Sequence, residues 1–436
     1  MHSSARTLAI VAVAAVAACS DDITRPASPA AARSLAVAAA TSPTEADAVA
    51  ISQVIQQRHW PYLTLLNPRF VTGDSTSPDF MTLAPSGYTQ AADNAIWTGH
   101  YLAAEATRYS VTGSPDALAN ARKALHGITA LIDVTKTDVL ARFLIPRSSP
   151  YADAILAEEA HEGIYESTYD NQPYAWLGGT SRDQYSGVFF GLGVAYDMIS
   201  DGIVRAEIRQ DVNRLLTNLL RNAWSVKMPD GSYSTTFLQR PDQQLSFLQV
   251  GRHVDPWRWT LLYQAFRAAD AALVQAPIKT ECQDPYGSYY KFNLDHINLY
   301  NLVRLEPPGS FRTLYLQAFA ILRACTGTHQ NAHFNMIERG LLGPDDVREA
   351  ETVNLLTLWL QRPRRDYYVD NTGKYPQCGA YACAPIPVND RYTTDFLWQR
   401  NPFQLAGGGA GTIETPGVDY ILPYWMARYY GVLPPP

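Results

Sequence analysis

The strongest constraint on the fold is the repeated pairing of two kinds of helical segment. Residues 93–112, DNAIWTGHYLAAEATRYSVT, carry apolar, aromatic and small residues on every side of a helical wheel. They run into Gly113-Ser114-Pro115, where Ser114 suits an N-cap and Pro115 the first helical position. The next segment is different, placing Leu118, Ala121, Leu125, Ile128 and Ile132 on a single face. The pattern recurs at 182–200, where RDQYSGVFFGLGVAYDMIS is followed by an Asp201-Gly202 turn and a helix with Ile208, Val212, Leu215 and Leu219 on one side. A helix that is apolar all round has to be covered on all sides, whereas an amphipathic one covers and faces water. A third aromatic-rich helix is expected from Pro256, capped by Asp255, and further helices at about 290–305, 310–325, 330–341, 345–361 and 418–430.

Strand-like alternation is scarce, so the expected class is all-α. With 47% hydrophobic and 17% charged residues, the chain has ample material for one large core. Long connections are expected at 134–181, 227–252 and 364–417, which argues against an open α-solenoid with short regular turns. The phrase RYSVTGSPDALANARKAL at 108–125, with a weaker echo RACTGTHQNAHFNMI at 323–337, resembles the hairpin phrasing of the (α/α) toroids, the six-hairpin glycosidases and toroidal polysaccharide lyases. The resemblance covers roughly residues 90–430 in style. It implies an (α/α) toroid of about five to six helical hairpins with long rim loops, and carbohydrate as substrate.

The N-terminus reads as an export signal. In MHSSARTLAIVAVAAVAAC, Arg6 precedes an apolar run too short to span a bilayer. Val16-Ala17-Ala18-Cys19 resembles a bacterial lipobox, which implies a signal peptide over 1–18, lipidation of Cys19 and attachment to a membrane through acyl chains. An ordinary signal peptide is the alternative. Ser20 resembles sorting to the outer membrane, facing the periplasm or the cell surface. Residues 19–42 are rich in Ala, Ser and Pro and read as a flexible tether, leaving 43–436 as one domain. Export favours disulfides among Cys282, Cys325, Cys378 and Cys383. The short Cys378–Cys383 loop most simply closes on itself, leaving Cys282 for Cys325, although three connectivities are open. A zinc site is the rival and lacks paired C-x2-C knuckles; no metal or other cofactor is expected.

Toroids of the kind this chain resembles hold substrate at one end, among the starts of first helices and long loops. The candidates there are Asp93, Trp97, His100 and Tyr101; Arg182, Asp183 and Tyr185; and His253, Asp255 and Trp257. Carboxylates supply acid and base to a glycosidic bond while flat aromatics stack on sugar rings. The expected hydrolytic pair is Asp183 with Asp255, oriented by Arg182 and His253, with Trp97, Tyr101 and Trp257 holding the sugar. Asp255 also suits a helix cap, Ser181 with Gln184 suits a capping box, and Asp183 suits the helix dipole.

Asn293, His296, Tyr300 and Arg304 share one helical face, and His-x-Asn recurs at His296/Asn298 and His333/Asn335. That set resembles the proton-transfer and carboxylate-neutralising groups of toroidal lyases, making a lyase acting on a uronate polymer the alternative enzyme. Trp398 and Arg400, with Tyr424 and Trp425, suggest a sugar platform, against a core reading for Tyr420 and Trp425. A glycan-binding lipoprotein without catalysis and a helical protein-binding scaffold are the non-enzymatic readings. HExxH, GxSxG, P-loop and dinucleotide signatures are missing. A net charge of −6 with no Lys/Arg block excludes the footprint of a nucleic-acid binder.

Overall fold

The computed structural model describes residues 42–76 and 83–436; the signal-like segment, Cys19 and the tether up to residue 41 lie outside the described residues. Helices alternate between two burial patterns, as the two kinds of segment require. Helix α1 (Glu45–Arg58) leads to α2 (Asn94–Thr112) and α3 (Pro115–Asp133), then a short α4 (Ala152–Glu158). Next come α5 (Arg182–Met198), α6 (Gly202–Arg221), α7 (Pro241–Val254), α8 (Pro256–Asp270) and a short α9 (Gln275–Glu281). The series ends with α10 (Tyr290–Arg304), α11 (Ser310–Thr326), α12 (Ala332–Leu342), α13 (Asp346–Leu360) and α14 (Val418–Tyr429).

Six of these are covered on nearly every side: α2, α5, α7, α10, α12 and α14, in which runs such as 94–108, 184–195 and 292–303 are continuously buried. Their partners bury one stripe only, as with Val204, Ile208, Val212, Leu215 and Leu219 of α6. The covered helices neighbour one another in chain order, α2 on α5, α5 on α7, α7 on α10, α10 on α12 and α12 on α14, and α14 packs back on α2. They run parallel. Asn298 donates to Ser186 Oγ and Asn301 to the Phe189 carbonyl, while Arg304 reaches Asp197 further along α5, so α10 and α5 run in the same sense. Phe189 stacks on Phe247 and Asp197 meets His253, which aligns α7 in the same sense. Glycine sets the closest approach: a Cβ on Gly187 would lie 2.5 Å from Ile96 Cγ1, and one on Gly191 2.3 Å from the Gly99 carbonyl oxygen.

The small-residue content of the first helices is therefore a packing requirement between α2 and α5. Connections from a covered helix to its partner are short, 113–114, 199–201 and residue 255 among them. The return connections, apart from the five residues 327–331 before α12, are long, and they hold all the described strands. These are β1 (Asn67–Arg69), β2 (Gly87–Thr89), β3 (Phe143–Pro146), β4 (Ile164–Tyr169), β5 (Gln172–Leu177), β6 (Ser225–Lys227), β7 (Tyr233–Thr236), β8 (Arg365–Asp370) and β9 (Ala406–Glu414). They form antiparallel sheets in the orders β2-β1-β9-β8 and β3-β5-β4, with β6 and β7 as a separate pair. The fold is mostly helical, in keeping with the helical expectation, and its 12% strand adds small sheets in the connections that an all-α class does not include.

Two further corrections concern the middle of the chain. The expected loop 227–252 contains α7, whose buried Gln243, Gln244 and Gln249 make a covered helix look like solvated chain. The helix starting at Pro256 is the one-face partner, with only Trp259 and Tyr263 buried. Both disulfides, Cys282–Cys325 and Cys378–Cys383, pair as the short-loop reading expects.

Candidate functional site

Parallel covered helices bring their N-termini to one end, and that end carries unspent carboxylates. The second helices of several pairs are capped by side chains, with Ser114, Asp201, Asp255 and Asp345 each accepting a first-turn N–H. Asp93 stands in the capping position of α2 yet makes no capping bond. Asp183, in the first turn of α5, has no hydrogen-bond or ion-pair partner among the described residues. The first-turn N–H groups of α2 are served from elsewhere: Gln184 Oε1 accepts from Ile96 N at 2.9 Å. The capping box expected of Ser181 and Gln184 is absent, because Ser181 Oγ instead accepts from Arg142 Nη2 at 3.0 Å.

Asp93 is the centre of the cluster. Its Oδ2 accepts from Gln399 Nε2 at 2.9 Å and its Oδ1 from Gln184 Nε2 at 3.4 Å, with Arg142 Nη1 4.0 Å away. The side chain keeps 32% of its surface open at the shared end of the covered helices. Burial, then the charge of Asp183, push its carboxyl up to about 7, with Asp395 adding to the rise and Arg142 opposing it. Asp395 is buried against Arg400, which donates to Oδ2, and Gln90 Nε2 donates to Oδ1 at 3.3 Å. Arg142 holds the entry to the two helices together, donating to the carbonyls of Gly179 (3.0 Å) and Ala92 (2.9 Å). Tyr290, the first residue of α10 and 43% exposed, feels the charges of both Asp183 and Asp93. Arg182, half-buried, lies in the same neighbourhood and makes no hydrogen bond or ion pair among the described residues.

Beside the carboxylates lies a buried aromatic and imidazole layer. Trp97 packs on Phe396 at 4.7 Å, and Trp398 stacks on His100 at 5.1 Å. His100 Nδ1 donates to the Ile96 carbonyl (2.9 Å) and its Nε2 accepts from Asn293 Nδ2 (3.1 Å). His333, beside His100 and Trp398, finds no partner for either ring nitrogen, and Asn293 Oδ1 and Trp398 Nε1 are likewise unspent. Burial lowers His100 to about 4 and His296 to about 3, and holds His333 well below the usual imidazole range, so all three rings are neutral at pH 7. Among the described residues no His, Cys, Asp and Glu cluster has metal-site geometry.

The other expected site residues are placed apart from this cluster. Asp255 does not meet Asp183: it follows the far end of α7, caps α8 and accepts from Asn213 Nδ2 at 2.9 Å. His253 and Arg304 both pair with Asp197 at the far end of α5, about 21 Å from Asp183 along the helix axis. Trp257 is fully exposed on the outside of α8 and takes no part in the cluster. Tyr300 is buried with its hydroxyl 2.6 Å from that of Tyr430, and His296 donates to the Phe292 carbonyl while stacking on Phe334 at 3.8 Å. The shared face from Asn293 to Arg304 therefore runs the depth of the protein instead of facing one cleft.

Tyr101, Tyr185 and Asn298 tie buried elements together, through Gln56, the Leu140 N–H and Ser186 respectively. Of the expected set, the structure brings together Asp183, Arg182 and Arg400 around Asp93, above Trp97, His100, His333 and Trp398. Sequence reasoning missed Asp395, Arg142, Gln399 and Tyr290. The signal for Asp93 was present: Asp93-Asn94 and Asp183-Gln184 both open a covered helix, each followed within two turns by the glycine that packs the two together. No protein-family model matches this chain, and no curated protein is similar to it.

Proposed function

We propose that the protein is an exported carbohydrate-active enzyme, a glycoside hydrolase acting on a poly- or oligosaccharide, built as an (α/α) toroid. The reading of closure rests on α14 packing against α2, with α1 from the chain's start beside α14 as the sixth partner helix. The observation that carries the function is the pair of carboxyls at the shared helix starts, Asp93 held by Gln399 and Gln184 and Asp183 without a partner among the described residues. Asp93, with a pKa near 7, keeps a proton to give to the glycosidic oxygen at neutral pH. Asp183, unpartnered and at a helix N-terminus that favours negative charge, draws a proton from the water whose oxygen bonds to the anomeric carbon. The proton delivered by Asp93 leaves with the alcohol, and the one taken by Asp183 returns to Asp93 through solvent. Asp395, held by Arg400, adds the negative field that keeps Asp93 protonated, and Arg142 fixes the separation of the two helix entries. Tyr290 offers an exposed ring to a sugar face.

The test is turnover of the purified protein against neutral and uronate polysaccharides, with reducing ends and ultraviolet absorbance read together. Reducing ends without absorbance, lost in both Asp93→Asn and Asp183→Asn, are the expected result. Absorbance from an unsaturated uronide would make the enzyme a lyase and the proposal wrong. Export and acylation at Cys19 rest on the lipobox-like segment; palmitate labelling of the chain in a bacterial host, lost in Cys19→Ser, tests them.

A further inference from the structure

The outside of α8 carries an apolar stripe that no described element covers. Trp257 is 100% exposed and Leu261 81%, and Ala265 and Ala268 continue the same face with Gln264 beside it, ending near the exposed Leu273. Beside this stripe a groove of about 460 Å3 runs between α6 and α8, lined by Arg209, Arg214, Arg221 and Arg258 with Asn213 and Thr217. Arg214 is neutralised by Asp133 and Asp138. The other three have no carboxylate partner among the described residues. Arg209 donates to the Val254 carbonyl, Arg258 donates to Thr217 Oγ1 and lies over the Trp259 ring, and Arg221 makes no bond among the described residues. Asp138 is the one acid lining the groove, and nearby Asp255 is occupied by Asn213 and the α8 N-terminus.

We propose that this wall is a peripheral docking face for an anionic phospholipid surface, Trp257 and Leu261 entering the headgroup boundary while Arg209, Arg221 and Arg258 meet lipid phosphates. Charge complementarity selects this occupant. In a chain of net charge −6, three uncompensated arginines beside a bare tryptophan match an interface that is apolar within and negative at its surface. A neutral polysaccharide would use the aromatic ring without needing the cations, an anionic one would leave the aliphatic Leu261 unused, and a soluble anion would use the cations without needing Trp257 and Leu261. The face does not depend on the hydrolase reading and acts in addition to any anchor at residue 19.

Tryptophan quenching by brominated lipids reads this contact directly, because seven of the other eight tryptophans are buried and Trp60 is half-buried. Full chain is mixed with brominated phosphatidylcholine vesicles with and without phosphatidylglycerol. The expected result is quenching on the anionic vesicles that is lost in Trp257→Phe, is weakened by salt, and needs roughly fivefold more lipid for each of Arg221→Gln and Arg258→Gln. Equal quenching of wild type and Trp257→Phe, even with the chain attached to vesicles by its N-terminus, overturns the proposal. So does inorganic pyrophosphate binding that matches the vesicle effect, which would make the groove a soluble-anion site. Dimerisation abolished by Leu261→Ser would assign the face to a second copy and overturn it as well.

Discussion

At the scale of single residues, Asp93 is where stability and activity oppose each other. Its carboxyl titrates near 7 in the folded protein and near 3.8 when unfolded, so between those values the native state holds a proton that the unfolded chain has released. Stability from this group is therefore lost as pH rises through the window. Asp93→Asn should melt higher than wild type at pH 8, with the gap closing by pH 4, and should lose 10²–10⁴-fold in kcat/KM, the order expected for general-acid catalysis. Wild-type turnover should fall above about pH 7 as the acid is spent. Asp211 provides the control: it too is raised to about 7 by burial, with Thr129 Oγ1 donating to it at 2.6 Å, but it lies between α3 and α6, away from the cleft. Asp211→Asn should reproduce the stability change in a pH series of melting curves and leave turnover unaltered. Loss of activity in Asp211→Asn would show that removing a buried charge, and not the acid itself, explains the Asp93 variant.

At the scale of elements, the contact between α2 and α5 positions both proposed catalytic carboxyls, and its tolerance is narrow. Gly187→Ala places a Cβ within 2.7 Å of the Ile96 backbone and should cost about 3 kcal/mol in urea unfolding, whereas Gly202→Ala, with no heavy atom within 4 Å, should change little. Glu414 of β9 fastens α1 through His59 and Arg58. These partners, with Arg364, outweigh the burial that would raise it and hold it down to about 2, so its contribution is complete above pH 4.5 and disappears as pH falls towards 2. Glu414→Gln should cost about 3 kcal/mol at pH 7 and much less at pH 2.5.

The alternation of covered and one-faced helices was legible at α2/α3 and α5/α6 because aromatic and small residues wrap the whole wheel there. It was hidden at α7 because buried glutamines look like solvent-facing ones in sequence. The carboxylate site was half legible: Asp183 stood out, but its partner depended on helix direction, and reading Pro256 as the start of a covered helix moved Asp255 to the wrong end. Asp395 and Gln399 reach the cleft from a connection whose path no local pattern encodes.

At the scale of the whole molecule, the proposed closure makes the two ends of the chain depend on each other. Helix α1 covers α14, with Glu45 pairing Arg428 at 2.6 Å and Ile51 and Ile55 buried in the common core, so the first helix of the body completes the pair begun by the last. An open solenoid unfolds from its termini, since each repeat touches only its neighbours. A closed arrangement has no terminal repeat, and losing one helix leaves a gap that the remaining pairs cannot close. Urea unfolding followed by tryptophan fluorescence and by far-ultraviolet circular dichroism should give coincident single transitions for the intact chain. Deleting residues 45–58 should destroy that cooperativity for the whole body and expose the apolar side of α14, giving dye binding and loss of the transition. A deletion variant that keeps the wild-type midpoint and loses only the helicity of α1 would instead mean that the pairs stack as an open array. In that case Asp93 and Asp183 would still meet, because α2 and α5 are neighbours in chain order, whereas Asp395 and Gln399, which reach Asp93 from the connection before α14, would have no closure to hold them there.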